Sequence, residues 1–194
     1  MDGDKYDYSK VDYIDEHTKV CIIDKDYGEF WQQPNAHLNG RGIAARRGEQ
    51  TYQTKLKNGS INKTEQRVRE LLVAKFGEND VFTEYWSERY PFYCDFYIKS
   101  FDLYIEINAY WTHGKHWFNP LSDADIQELH RLKMLAENSS FYRSAIRTWT
   151  ETDIAKKNVA IQNNLNYVVF WKSNLSDFMD WYDSFDEKHV LKLY

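Results

Sequence analysis

Residues 92–108, FYCDFYIKSFDLYIEIN, decide the fold of this chain. Two runs of alternating aromatic, aliphatic and polar residues flank Lys99 to Asp102, a spacing suited to a hairpin turn. The period of two predicts that Phe92, Cys94, Phe96 and Ile98 share one face, with Tyr93, Asp95 and Tyr97 on the other. On the following strand Leu103, Ile105 and Ile107 point one way, and Tyr104, Glu106 and Asn108 the other. If Ile98 pairs with Leu103, counting back sets Tyr97 opposite Tyr104, Phe96 opposite Ile105 and Asp95 opposite Glu106. Directly opposed residues have Cβ atoms ~4.5–5.5 Å apart. Two carboxylates at that spacing repel, and an aromatic sheet raises the penalty.

Elements on either side extend the hairpin into a sheet. Asn62 can cap a helix with Glu65 as capping-box partner, Val68, Leu71, Leu72 and Phe76 recur at helical spacing, and Gly77 stops it. Residues 81–86 read as a strand, as do 167–171. Ser122 or Asp123 can start a helix to about Glu137. Thr150 followed by Asp153 can cap another that ends at Asn163-Asn164. Residues 176–186 set Phe178, Trp181, Tyr182 and Phe185 on one helical face. The order helix, three strands, helices, strand, helix implies an α/β (α+β) fold, a mixed sheet flanked by helices.

The chain has 194 residues, enough for a medium domain plus a small appendage. Seven Trp, fifteen Tyr and eleven Phe can build a large core. Nothing reads as a membrane span or a signal peptide. Cys21 and Cys94 form no CxxC and suggest reduced thiols, so a cytoplasmic protein is expected. The net charge of −5 argues against bulk attraction to nucleic acid. Residues 41–63, however, carry Arg41, Arg46, Arg47, Lys55, Lys57 and Lys63 against Glu49 alone. That segment reads either as a phosphate-binding strap or as a solvated linker. A boundary is expected near 48–62, where the sequence is polar and shows little apolar periodicity.

A divalent cation would relieve the repulsion between Asp95 and Glu106, and such an ion can polarise a phosphate and lower the pKa of an attacking water. The alternative is an exposed sheet face whose acids are solvated or paired with lysine and arginine. Glu65 lies on the core stripe of its helix and can reach the same place. Beyond Glu106 come Asn108, His113, Lys115 and His116. Histidine can shuttle protons, and His113 is the stronger candidate because Gly114 permits a turn. Lysine can neutralise phosphate charge. Arg143, Arg147, Lys156 and Lys157 read singly as solvated charge, with Lys156 a further candidate for DNA contact.

Glu65, Cys94-Asp95-Phe96 and Ile105-Glu106-Ile107-Asn108 resemble the PD-(D/E)XK nuclease pattern of a helix Glu, a strand Asp and a Glu-x-Lys on an α-β-β-β-α-β core. Within that superfamily, IEINAYWTHGKHW (105–117) and RTWTETDIAKKNVAIQNNLNYVVFW (147–171) are similar to segments of very-short-patch-repair-like and phage homing endonucleases. The resemblance spans roughly residues 63–172. It implies a DNA endonuclease using Mg²⁺ or Mn²⁺, with Asp95, Glu106 and the Ile107 carbonyl on the metal and Glu65 on a metal-bound water or second ion. The usual lysine is Asn108 here, so proton handling falls to His113, with His116 as second choice. Asn108, Lys115 and His116 would contact the scissile phosphate.

Residues 5–42, KYDYSKVDYIDEHTKVCIIDKDYGEFWQQPNAHLNGRG, resemble a small module repeated in phage endonucleases that implies a DNA-binding accessory. Where that module carries Cys or His metal ligands, this chain has Asp24, Tyr27, Ile43 and Arg46, so no structural zinc is expected. The resulting division is a β-rich module over 1–48, a basic linker over 49–62 and a nuclease domain over 63–194. Arg41, Arg46, Arg47, Lys55, Lys57, Lys115 and Lys156 are the DNA-contact candidates. Rival readings are a repair or restriction nuclease on the same core, an inactive DNA-binding protein, and a structural protein with an aromatic partner surface. Monomer and homodimer are both compatible with the sequence.

Overall fold

A computed structural model describes residues 5–186. The chain ends, assigned above to the accessory module and the nuclease domain, lie outside the described residues. The architecture is mixed α/β with two sheets, one three-stranded and antiparallel, one four-stranded and mixed.

The first sheet has strands β1 (Tyr6–Asp7), β2 (Val20–Asp24) and β3 (Gly28–Gln32). Gly28 has φ +88°, a left-handed conformation that closes the β2–β3 turn at little steric cost. A short helix, α1 (Pro34–Leu38), follows and places His37 against Tyr6, Tyr8 and Phe30. Three of the four positions that replace metal ligands in the resemblance meet here. Arg46 donates to both oxygens of the buried Asp24 at 2.8 and 2.9 Å and lies 5.0 Å from the Tyr27 ring centroid. Charge pairing and a cation–π contact hold this corner.

Residues 49–62 are not an open linker as expected. They are helical as far as Lys57, in α2 (Ala44–Lys57). A Cβ on Gly48 would lie 2.1 Å from the carbonyl oxygen of Glu84, so glycine lets this helix settle on the second sheet. Tyr52 is buried and Glu49 accepts from the Thr83 hydroxyl at 2.7 Å. With one glycine contact and one buried aromatic, the helix shows no broad apolar stripe in its sequence.

The second sheet follows helix α3 (Lys63–Phe76), whose Asn62 cap accepts from Thr64 N at 2.8 Å. Its strands are β4 (Val81–Ser87), β5 (Tyr90–Ile98), β6 (Leu103–Ile107) and, after the later helices, β7 (Asn166–Phe170). The order is β4-β5-β6-β7, antiparallel except for the parallel β6–β7 pair. The hairpin register is the expected one: Ile98 pairs with Leu103, Tyr97 with Tyr104, and Phe96 with Ile105.

Between β6 and β7 come α4 (Asp123–Ala136), α5 (Ser140–Arg147) and α6 (Asp153–Gln162). Residues 148–152 join the last two as a π-helical turn. Thr150 therefore caps nothing, and the helical run begins ten residues earlier, at Ser140. Helix α7 (Ser176–Ser184) closes the described chain. One sheet face packs Phe96, Ile98, Leu103 and Ile105 against Val68 and Leu72 of α3 and Phe178 of α7. The other packs Tyr90, Cys94, Tyr97, Tyr104 and Tyr167 against Ala160 of α6. Among the described residues no helix is long and apolar enough to cross a membrane.

Candidate active site

The alternation expected along β5 slips at Asp95. Phe92 and Cys94 lie with Tyr97 on the α6 side, whereas Phe96 and Ile98 lie on the α3 side. Asp95 and Glu106 are consequently not a ladder pair; the β5–β6 ladder ends one step earlier, at Phe96 and Ile105. The Asp95 carboxylate instead accepts the Ile107 N–H at 2.6 Å, in the place where strand pairing would have continued. On its other side the β4–β5 register puts Glu84 level with Asp95, between the pairs Thr83–Phe96 and Tyr85–Cys94. Glu84 has φ +48°, a local irregularity uncommon for a non-glycine residue.

Three neighbouring strands thus each bring one acid to the same level: Glu84 on β4, Asp95 on β5, Glu106 on β6. The outer two have lysines. Lys55 of α2 donates to Glu84. Lys156 of α6 donates to both oxygens of Glu106 at 2.9 Å, and Glu106 also accepts from the Tyr90 hydroxyl at 2.7 Å. Glu106 is 1% exposed, so these partners offset a desolvation cost of several kcal/mol. Burial would depress Lys156, but the charges of Glu106 and Asp95 more than offset it and hold the ammonium above its ordinary value.

Asp95 has no lysine of its own. Burial, then the charge of Glu106, push its carboxyl up to about 7, with Lys156 and the Ile107 N–H opposing the shift. Glu65 is also pushed up to about 7, by burial and then by Asp95, with Lys55 opposing. Two carboxyls raised by burial and by neighbouring acids, Glu106 acting on Asp95 and Asp95 on Glu65, mark a site short of one positive charge.

A cavity of about 430 Å³ collects Glu65, Asp95, Glu106, Asn108, His113 and Lys156 around the Ile107 backbone. Here the structure brings α3 and α6 to the β5–β6 hairpin and the turn that follows it. Glu65 comes from the first turn of α3, where its carboxylate turns to the cavity. His113 ends a 3₁₀ turn, Trp111–His113, closed by Gly114 at φ +67°. A Cβ on Gly114 would meet Trp149 Nε1 at 2.0 Å, so glycine alone lets this turn lie against the π-helical segment. His113 Nδ1 lies 2.9 Å from Oδ2 of Asp153, which is 1% exposed. That pairing fixes the ring and leaves Nε2 as the nitrogen available to the cavity.

Two residues that shape this site lay outside the sequence expectation for it. Asp153 appeared only as a helix cap, and Lys156 only as a DNA contact. The signal was a stripe: Trp149, Asp153, Lys156 and Ala160 recur at helical spacing and all face inward.

Several expected contributors lie elsewhere. His116 does not line the carboxylate cavity. Its Nε2 is 2.9 Å from Asp125, its carbonyl accepts from Trp149 Nε1 at 2.9 Å, and its ring packs edge-on to Trp149. Lys115 opens on an adjoining cavity of about 580 Å³ with Tyr110, Trp111, Trp171 and Lys172. In the basic strap, Arg46 and Lys55 are taken up by Asp24 and Glu84. Arg41, Arg47 and Lys57 remain exposed.

Among the described residues no three His, Cys, Asp or Glu side chains are gathered closely enough to enclose an ion by themselves. The donor set nonetheless suits a hard divalent cation, which needs one or two carboxylates and completes its shell with water and phosphate oxygens. No family model, curated protein or solved structure matches the chain.

Proposed function

We propose that the chain is a metal-dependent DNA endonuclease that hydrolyses phosphodiester bonds on a PD-(D/E)XK core, of the phage homing type its sequence resembles. The observation that carries this reading is the missing charge at the centre of the acid row. Glu84 and Glu106 have lysines, whereas Asp95 and Glu65 share a cavity and are both raised to about 7. The strand order and the helix-strand-strand-strand-helix-strand sequence support the core assignment.

Asp95, Glu106 and the Ile107 carbonyl would hold the ion, with Glu65 completing its surroundings. When bound, Mg²⁺ or Mn²⁺ supplies Lewis-acid polarisation of the phosphate and a more acidic water. The chain's own groups do the rest. Lys156 holds the Glu106 carboxylate in place and adds positive charge beside the cavity, where Asn108 replaces the lysine of the resemblance. His113, with Nδ1 tied to Asp153, takes or returns a proton at Nε2. The ammonium at Lys156 weakens the main support for an inactive DNA-binding protein, which was the absence of a lysine at position 108.

The test is nicking of supercoiled plasmid by wild type and by Asp95→Asn, with and without Mg²⁺. Wild type is expected to nick only with the metal and the variant not at all. Equal behaviour of the two proteins overturns the proposal.

A further inference from the structure

A second cavity, of about 400 Å³, lies between the two sheets and is lined by none of the acids of the row. β3 supplies Trp31 and Glu29 to it, the start of α2 supplies Arg47, the end of β4 supplies Trp86, and the β4–β5 turn supplies Glu88 and Arg89. Its volume is in the range of small-molecule sites, ~300–1,000 Å³.

The charges around it are mostly settled. Glu29 pairs with Lys10, Glu88 with Lys19 at 3.3 Å, and Arg89 with Asp102 at 2.7 Å. Arg47 has no acidic partner among the described residues, and its side chain is exposed. Both acids lining the cavity are therefore neutralised, and one guanidinium is not. Trp31 is 58% exposed, an unusual cost for so large an apolar ring unless something covers it.

An open guanidinium beside exposed indole suits a ligand with a flat aromatic part and an anionic part. We infer that this cavity receives one unstacked nucleotide of a DNA strand, its base against Trp31 and Trp86 and its phosphate on Arg47. Base stacking on aromatic rings combined with arginine contacts is the general means of holding single strands. The cavity is also within reach of the acid row. Trp86 is two residues along β4 from Glu84, roughly 7 Å of strand, and Glu84 lines a cleft with Glu65 and Asp95.

This inference rests on DNA as the substrate class, but the cavity can be tested without cleavage. The full chain is titrated in EDTA with a fluorescein-labelled ten-residue oligothymidylate and with a blunt duplex of the same length. Anisotropy and tryptophan quenching are the readouts. Trp31→Ala should weaken oligothymidylate binding roughly ten-fold or more, and Trp31→Phe should recover most of it. Arg47→Gln should weaken it and lower the salt slope by about 0.7. Duplex affinity should change less than oligothymidylate affinity in both. Trp31 is exposed, so the variants are expected to keep the native circular dichroism spectrum, which is the control for their fold. Wild-type oligothymidylate binding by Trp31→Ala and Arg47→Gln overturns the inference, as does equal loss on single strand and duplex. If plasmid nicking is absent but the Trp31 effect persists, the nuclease reading fails and the cavity stands. If nicking is present and the Trp31 effect is absent, the cavity alone fails.

Discussion

Glu84 and Asp95 stand at the same level of neighbouring strands, yet only Glu84 has a lysine. The lysines on Glu84 and Glu106 come from helices on either side of the row, α2 and α6, and neither pairs with the middle acid. The centre of the row is left with Asp95 and Glu65, which share a cavity and both bind protons unusually tightly.

That excess proton affinity makes stability depend on pH. The ordinary values are 3.8 for Asp95 and 4.5 for Glu65, and both are pushed up to about 7 in the folded chain. A carboxyl raised on folding binds more protons in the folded state, so its stabilisation is present below about pH 4 and lost as pH rises to 7. In EDTA, wild type should lose roughly 2–3 kcal/mol from Asp95 between pH 5 and pH 8, with a smaller addition from the partly exposed Glu65. Asp95→Asn should show a flatter profile. Adding Mg²⁺ should raise the melting temperature at pH 8 more than at pH 5. Parallel profiles for the two proteins would refute the assignment.

Lys156 holds a carboxylate that is nearly inaccessible to water. Removing the ammonium leaves that charge without its ion partner, a loss of about 3 kcal/mol or more. Lys156→Met should therefore be destabilised by that order in urea, and Lys156→Met with Glu106→Gln should regain most of the loss. Both should cut DNA poorly. If the single and double variants are equally unstable, the pair is not what stabilises this face.

The hairpin register was legible because residues 96–98 and 103–105 alternate cleanly between two apolar faces, and a slip by one would have sent the tyrosines of one strand to the aliphatic face and its aliphatic residues to the tyrosine face. The same alternation misled at Asp95. There the strand slips, and the side chain takes over a main-chain bond, which no period of two reveals. Lys156 and Asp153 were hidden for another reason: their partners, Glu106 and His113, are 50 and 40 residues away. The basic strap misled because charge counting ignores direction; Arg46 and Lys55 face acids brought by β2 and β4. Helix α2 escaped because a glycine contact, rather than an apolar stripe, seats it on the sheet.

The two histidines of the 113–116 turn separate by partner. His113 faces the acid cavity and leans on Asp153, whereas His116 is bound to Asp125 at the start of α4. His113→Ala should reduce cleavage roughly 10²- to 10⁴-fold with DNA binding retained. Asp153→Asn should reduce it about ten-fold or more through loss of ring orientation. His116→Ala should cost about 1 kcal/mol of stability and leave most of the cleavage rate. Single-turnover rates beside binding affinities decide this, and a larger effect at His116 than at His113 would reverse the assignment.

Gly114 links this turn to the helix that carries Asp153 and Lys156. Its φ of +67° is costly for other residues, and any Cβ would meet the Trp149 indole at 2.0 Å. Trp149 is buried and donates to the His116 carbonyl, so it has little room to retreat. Gly114→Ala should therefore push the turn away from the helix and lengthen the His113–Asp153 contact. A destabilisation of roughly 2 kcal/mol is expected from strain and overpacking, together with a fall in cleavage larger than that loss alone explains. Adding Trp149→Phe, which removes the indole nitrogen, should recover part of the stability. Unchanged stability in Gly114→Ala would mean that the turn does not bear on the indole.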